Sequence, residues 1–308
     1  MNLGSLTPSD PATLDDPHPL EQAPNLPEAV RQVLGAARRV HTPCGTGGLV
    51  WHIWGEQGAD PALAPLVLLH GGSGSWTHWL RNVMPLAATG RRVYVPDLPG
   101  FGDSDMPPGG ADADVIPEPL AQGLDRLVGA EPCDLVGFSF GGMVGGLLAS
   151  RYPARVARLV MVGAPGFGLD ALEPVRLKGW RHLPDAEQRM AVHHHNLQVL
   201  MLHDPASITE LACQLQAANA VRDRLPGRRL ARTDVLVRAL PALTCPVHLF
   251  YGDQDPYYRG QAPDYEARMR GASQFRGMGV IAGAGHWAQF EKPELFNRLL
   301  LAALNESR

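Results

Sequence analysis

Short apolar runs punctuate the chain at intervals, each bounded by Gly, Pro or Asp: PLVLLH (65–70), RRVYVPD (91–97), CDLVGF (133–138), VARLVMVG (156–163), CPVHLFYG (245–252) and GMGVIAG (277–283). They lack the polar/apolar alternation of a half-exposed strand, which suits strands buried on both faces of a parallel sheet. GLVWHIWG (48–55), with RRVHT before it, predicts an opening hairpin. Between the runs lie segments of helical character: WTHWLRNVMPLAATG, PLAQGLDRLVGA, MVGGLLASRYP, 262–271 and PELFNRLLLAALN. Alternating strand and helix predicts a doubly wound α/β sheet.

The alternation fails between about Gly166 and Leu240, where WRHLPDAEQRMAVHHHNLQVLMLHD and ITELACQLQAANAVRDRL read as helices with no strand between them. We expect residues 167–240 to be a helical cap inserted over the carboxyl ends of the strands, with 29–166 and 241–308 forming the core. Residues 1–28, rich in Pro and Asp, read as an arm, extended or poorly ordered to about Asn25.

Composition narrows the function. With 45% apolar and 19% charged residues and a net charge of −4, the chain is globular in type and does not suggest a nucleic-acid partner. The four cysteines, Cys44, Cys133, Cys213 and Cys245, are scattered without a C-x-x-C pair, so neither a disulfide framework nor a zinc site is expected. The first 28 residues hold no Lys or Arg and no apolar run, unlike a signal peptide. No segment approaches the ~20 apolar residues of a membrane span, and a cytoplasmic location is expected. A homodimer is compatible with the chain, but nothing specifies it.

Chemistry concentrates at strand ends. In VGFSFGG an apolar run stops at Phe138 and an Ala/Gly/Leu-rich helix follows, leaving Ser139 on the turn between them. That is the context of a nucleophile elbow, whose glycines clear space for a tight turn; a close-packing glycine turn without chemistry is the alternative. YGDQDPY (251–257) and GAGHWAQFEKPE (283–294) then supply Asp255 and His286 after later strands. A neutral serine hydroxyl is a poor nucleophile, so it needs His286 as base, and the imidazole needs a carboxylate to fix its tautomer. Asp255 is favoured for that role over Asp253, a turn-capping candidate, and over Asp170. LLHGGSGSW (68–76) ends the strand expected to bring the second oxyanion donor, so the expected donors are the backbone N–H groups of Gly72 and Phe140. His70 reads as a structural hydrogen-bonding residue. The expected pocket wall includes Phe138 and Gly71.

Together HGGSGSW, DLPGFGDSD (97–105), GFSFGG, GDQD and GHWAQFE resemble the α/β-hydrolase superfamily, from about residue 40 to the end apart from the cap. WLRNV (79–83), HDPASITE (203–210) and GHWAQFEKPELFNRLL look more closely like the meta-cleavage-product hydrolases, which break carbon-carbon bonds of vinylogous diketone acids. The resemblance implies the Ser139, His286 and Asp255 triad and no metal or organic cofactor. It also implies that Trp287 lines the pocket, a packed aromatic being the other reading. The chain departs from that pattern at two places: Phe138 stands where those enzymes usually carry Asn, and their cap arginine aligns with Gln216. An apolar Phe138 and a cap rich in Leu, Met and Ala favour a hydrophobic small-molecule acyl ester as substrate. Carbon-carbon hydrolysis of a 2-hydroxy-6-oxo-dienoate is the alternative, and a receptor-like protein with little turnover is the third reading.

Three further features carry bland readings. Successive helical residues diverge by about 100°, so His193, His194 and His195 cannot converge on one ion. Arg81 reads as a surface charge or a loop contact, and GRRLARTD (227–234) as a solvated basic face.

Overall fold

A computed structural model of the chain describes residues 12–13, 27–225 and 227–306. Among these, nine strands form one sheet: β1 (Ala12–Thr13), β2 (Arg38–Cys44), β3 (Gly47–Trp54), β4 (Leu66–Leu69), β5 (Val93–Pro96), β6 (Cys133–Phe138), β7 (Val156–Val162), β8 (Val247–Gly252) and β9 (Phe275–Ile281). Their order is β1-β2-β3-β5-β4-β6-β7-β8-β9. β2 and β3 make the expected antiparallel hairpin, and β5, β4, β6, β7, β8 and β9 run parallel. Of the N-terminal arm, Ala12–Thr13 pairs antiparallel with β2 and Pro27–Glu28 leads into the helix that Glu28 opens; residues 1–11 and 14–26 lie outside the described residues.

Every residue of β4, β5, β6 and β8 is buried. The sheet divides two cores by the simple alternation of a strand. Leu66, Leu68 and Val136 face one side, with Val30 and Leu34 of α1 (Glu28–Gly35) and Phe296 and Leu300 of α10 (Pro293–Leu304). Val67, Leu69 and Leu135 face the other, with Leu120 and Leu124 of α3 (Pro117–Val128) and Met143 and Leu147 of α4 (Phe140–Arg151). Near-continuous apolar sequence is what two-sided burial requires.

The helix expected through residues 76–90 is broken. Trp76–Trp79 form a 3-10 turn and a new helix, α2, starts at Val83 and ends at Ala87. Pro85 is the reason. Inside a continuous helix its ring would clash with the carbonyl four residues back, whereas near the start of α2 its missing N–H costs nothing. Arg81 and Asn82, freed from a helix, turn to the C-terminal region. Arg81 Nη1 donates to the Phe290 carbonyl at 2.8 Å, and Asn82 Nδ2 donates to Gln289 O and Asn297 Oδ1.

Between β7 and β8 no strand occurs among the described residues. This inserted segment carries α5 (Ala186–Asn196), prolonged by a π-helical turn at Leu197–Met201, then α6 (Glu210–Val221) and α7 (Val235–Ala239). α5 begins later than the sequence suggests, because Pro184 disfavours helix before it and Asp185 caps the start by accepting from Gln188 N. No helix among the described residues is long and apolar enough to cross a membrane.

Candidate active site

β6 ends at Phe138 and the chain turns into α4 through Ser139, whose backbone stands at φ 51° and ψ −118°. A left-handed φ is costly for a side-chain-bearing residue, and here the surroundings impose it. Ser139 N–H donates to Val162 O of β7 at 2.7 Å, while Ser139 O accepts from Gly142 N at 2.8 Å. The turn also needs glycine on both sides. A Cβ at Gly137 would lie 2.3 Å from Gly141 O, and one at Gly141 would lie 2.4 Å from His70 O.

The loops after β8 and β9 bring two groups to Ser139. His286 Nε2 lies 2.9 Å from Ser139 Oγ, and His286 Nδ1 lies 2.7 Å from Asp255 Oδ2. Asp255 is fully buried; its other oxygen accepts from Tyr257 N at 2.9 Å. Burial first, and then the Asp255 carboxylate, push the Tyr257 phenol pKa up. Asp253 is used differently, accepting from Gly283 N at 2.8 Å and so tying the β8 and β9 loops together. Asp170 lines the neighbouring cleft.

The loop after β4 packs beside the serine: a Cβ at Gly71 would lie 3.2 Å from Ser139 Cβ. Gly72 and Phe140 both border the cleft next to Ser139. Phe140 opens α4, so its N–H has no acceptor within the helix. His70 is held on both nitrogens, Nδ1 to Gly71 O and Nε2 to Leu98 N, each at 2.8 Å. Burial, opposed by Asp97, pushes its pKa down to about 4, so it is neutral and structural. His78 is buried too, accepting from Gly71 N through Nδ1 and packing between Phe138 and Trp287.

Gly72, Ser139, Phe140 and His286 line a cleft of about 800 Å³ together with residues of the inserted segment. Phe138 lines it. Gly71 and Trp287 do not, and the contacts explain why. Gly71 abuts the Phe138 ring, and Trp287, fully buried, donates its indole N–H to His78 O at 2.9 Å and stacks on Phe290. Of the three consecutive histidines, His193 reaches the cleft, its ring 5.3 Å from Trp180.

The basic cluster at 227–234 is not simply a solvated face. Arg228 turns inward, its Nη1 donating to both Asp223 oxygens at 2.8 Å, with its guanidinium over the rings of Phe101 and Phe140. A Cβ on Gly72 would lie 3.3 Å from Arg228 Nη2. Arg232 also lines the cleft, as do Lys178 and Arg181. The sequence signal was the acid at Asp223, five residues before Arg228, but local spacing alone does not show that the pair faces inward.

A family model described as the alpha/beta hydrolase family matches residues 66–299. The 2-hydroxymuconate semialdehyde hydrolase of Pseudomonas sp. (strain CF600) is 31% identical over 304 residues, covering 90% of this chain and 94% of that protein. A 2-hydroxy-6-oxo-6-phenylhexa-2,4-dienoate hydrolase of Burkholderia cepacia is 28% identical, covering 77% of this chain and 86% of its own. Among solved structures, a meta-cleavage product hydrolase of Pseudomonas fluorescens IP01 superposes with a TM-score of 0.69 at 23% identity, over 87% of this chain and 98% of that one. A carboxylesterase of Bacillus subtilis gives 0.71 at 20% identity, over 91% and 97%. At such identities the two structures share the fold, and they carry both chemistries on it.

Proposed function

The chain belongs to the alpha/beta hydrolase family and is an enzyme of it, and from that premise we propose that it hydrolyses the carbon-carbon bond next to the ketone of a 2-hydroxy-6-oxo-dienoate-type acid. The charge of the cleft carries this reading. In a chain of net charge −4, Lys178, Arg181 and Arg232 line the cleft beside the Asp223-paired Arg228, against the single acidic Asp170 among the described lining residues. A cationic cleft in an anionic protein selects an anionic substrate. The relatives named above act on dienoate acids and semialdehydes by their names, and this is the substrate class the cleft suits.

In this reading Ser139 Oγ attacks the carbonyl carbon while His286 Nε2 takes its proton. Asp255, bonded to Nδ1–H, keeps the other ring nitrogen available and stabilises the imidazolium that forms. The N–H groups of Gly72 and Phe140 receive the oxyanion. Collapse of the tetrahedral species expels the carbon fragment, which gains a proton from His286. Water, deprotonated by the same imidazole, then releases the acyl group and restores Ser139. The dienoate must first become its keto tautomer, so that the departing electron pair is delocalised. The inserted segment acts as a cap that closes the cleft over the substrate.

Phe138 supports a second reading. An apolar ring next to the nucleophile, together with Gln216 where the resembled enzymes carry arginine, suits a hydrophobic carboxylic ester; the same residues serve it, with an alcohol as leaving group.

The test follows the absorbance of 2-hydroxy-6-oxo-6-phenylhexa-2,4-dienoate. Wild type should bleach it and Ser139→Ala should not. Methylating the substrate carboxylate should lower kcat/KM at least tenfold. If the dienoate is untouched while p-nitrophenyl butyrate is hydrolysed, the ester reading replaces this one.

A further inference from the structure

The loop after β4 does not end at Gly72. Its next residue, Ser73, has φ 49°, and apart from Ser139 it is the only non-glycine residue with a left-handed backbone among the described residues. Such a conformation persists only where the surroundings over-determine it. Ser73 Oγ donates to Asp223 Oδ2 at 2.5 Å, and Asp223 belongs to the inserted segment, just beyond α6. Asp223 is itself fixed. Arg228 Nη1 holds both of its oxygens, and Leu225 N donates to Oδ1 at 3.0 Å. The side chains of Asp223 and Arg228 are 10% and 22% exposed, so water competes weakly for these bonds. A second staple lies two and four residues further on: Ser75 Oγ donates to Asn219 Oδ1 at 2.7 Å, and Asn219 Nδ2 donates to Thr77 Oγ1 at 3.0 Å.

We infer that Asp223 is a positioning residue for the oxyanion site: by holding Ser73 in its left-handed conformation, it aims the adjacent Gly72 N–H at the carbonyl oxygen of the substrate. The inference rests on the assignment of Gly72 as an oxyanion donor made above. Donor alignment matters most when charge develops on that oxygen, so the latch acts on kcat. It also makes the inserted segment part of the catalytic geometry, because two of its side chains, Asp223 and Asn219, hold the loop from outside. Asp223 carries its negative charge into this role. Burial opposes the charge, but Arg228 and the Ser73 hydroxyl outweigh burial and lower the Asp223 pKa.

The test uses p-nitrophenyl butyrate, which has no carboxylate and so does not report on anion recognition, and phenylboronic acid, whose serine adduct places an oxygen in the oxyanion site. Asp223→Ala and Ser73→Ala should each lower kcat by roughly 30-fold, with KM within about twofold. Phenylboronic acid affinity should fall by the same factor. Ser73→Gly, which adopts a positive φ without steric cost, should keep several-fold more kcat than Ser73→Ala. The inference is overturned if kcat stays within about threefold of wild type in folded Asp223→Ala or Ser73→Ala. It is equally overturned if only KM moves, or if Ser73→Gly is no better than Ser73→Ala. Should Asp223→Ala not fold, Ser73→Ala carries the test, since it removes a single hydroxyl. Failure of the serine-hydrolase assignment looks different, because Ser139→Ala would then match wild type in both turnover and boronate binding.

Discussion

Glu291 accepts the backbone N–H of Gly285, the residue before His286, through Oε2 at 2.6 Å. The same carboxylate accepts from His203 N at 3.2 Å and Asp204 N at 2.7 Å, two residues of the inserted segment. Trp287 N adds a bond to Met201 O at 2.8 Å. One buried carboxylate therefore ties the His286 loop to the inserted segment that lines the cleft.

Replacing Glu291 by Ala strands three backbone donors in a site where the side chain is now only 6% exposed. Unpaired buried donors and the loss of charge-assisted bonds should together cost about 3 kcal/mol of folding stability or more. Glu291→Gln keeps one acceptor oxygen and should cost about half as much. Urea unfolding of the two variants gives the ordering, and equal stability of Glu291→Ala and wild type would refute it.

His70 sets a pH dependence. An unfolded histidine titrates near 6.5, whereas burial lowers the folded-state value to about 4. Between those values the unfolded chain binds the extra proton, so the contribution of His70 to stability is complete above about pH 6.5 and is lost as pH falls toward 4. At pH 5 the protein should be less stable than at pH 7 by about 2 kcal/mol from this residue. His78, whose pKa burial also lowers, adds a loss of the same sign. Urea unfolding at both pH values should show a smaller pH 7 to pH 5 difference in His70→Asn than in wild type.

Trp287 provides a control for the shape of the cleft. Its indole is committed to His78 O and to the Phe290 ring, away from the cleft lining. Trp287→Phe leaves a buried carbonyl without its donor and should cost about 1 to 2 kcal/mol. KM for either substrate class should stay within about twofold. A tenfold rise in KM without loss of stability would place the ring against the substrate instead.

The strands were legible because burial on both faces writes itself as an uninterrupted apolar run; CDLVGF coincides with β6 residue for residue. The turn at Ser139 was legible because backbone crowding admits only glycine at 137 and 141. The break at 80–82 is not legible because the helical periodicity of 76–90 spans Pro85, and periodicity does not weigh a ring against a carbonyl. The inward turn of Arg228, the left-handed Ser73 and the carboxylate clasp of Glu291 were hidden for a different reason. Ser73 is held by Asp223, 150 residues away, and the Glu291 clasp reaches His203, 88 residues away, while Arg228 pairs locally with Asp223 but lies over the distant rings of Phe101 and Phe140. Trp287 shows the limit of adjacency: following His286 in sequence does not make a residue its neighbour in the cleft, because the chain turns into α9 (Ala288–Glu291) right after it.

Asp253 and Asp255, two residues apart, should separate cleanly. Asp255 Oδ2 meets His286 Nδ1 at 2.7 Å, so Asp255→Asn would offer an amide to the ring and favour the tautomer whose Nε2 carries the proton, unable to accept one from Ser139. On the proposed mechanism kcat should fall by on the order of 10^4, with KM nearly unchanged. Asp253 Oδ1 accepts from Gly283 N, so Asp253→Asn retains an oxygen acceptor, loses its charge, and should leave kcat within about threefold while costing about 1 kcal/mol of stability. Steady-state kinetics and urea unfolding of the pair read both axes. If the losses of activity were reversed, the base would be oriented by Asp253, and the loops after β8 and β9 would have to shift relative to one another in the working enzyme.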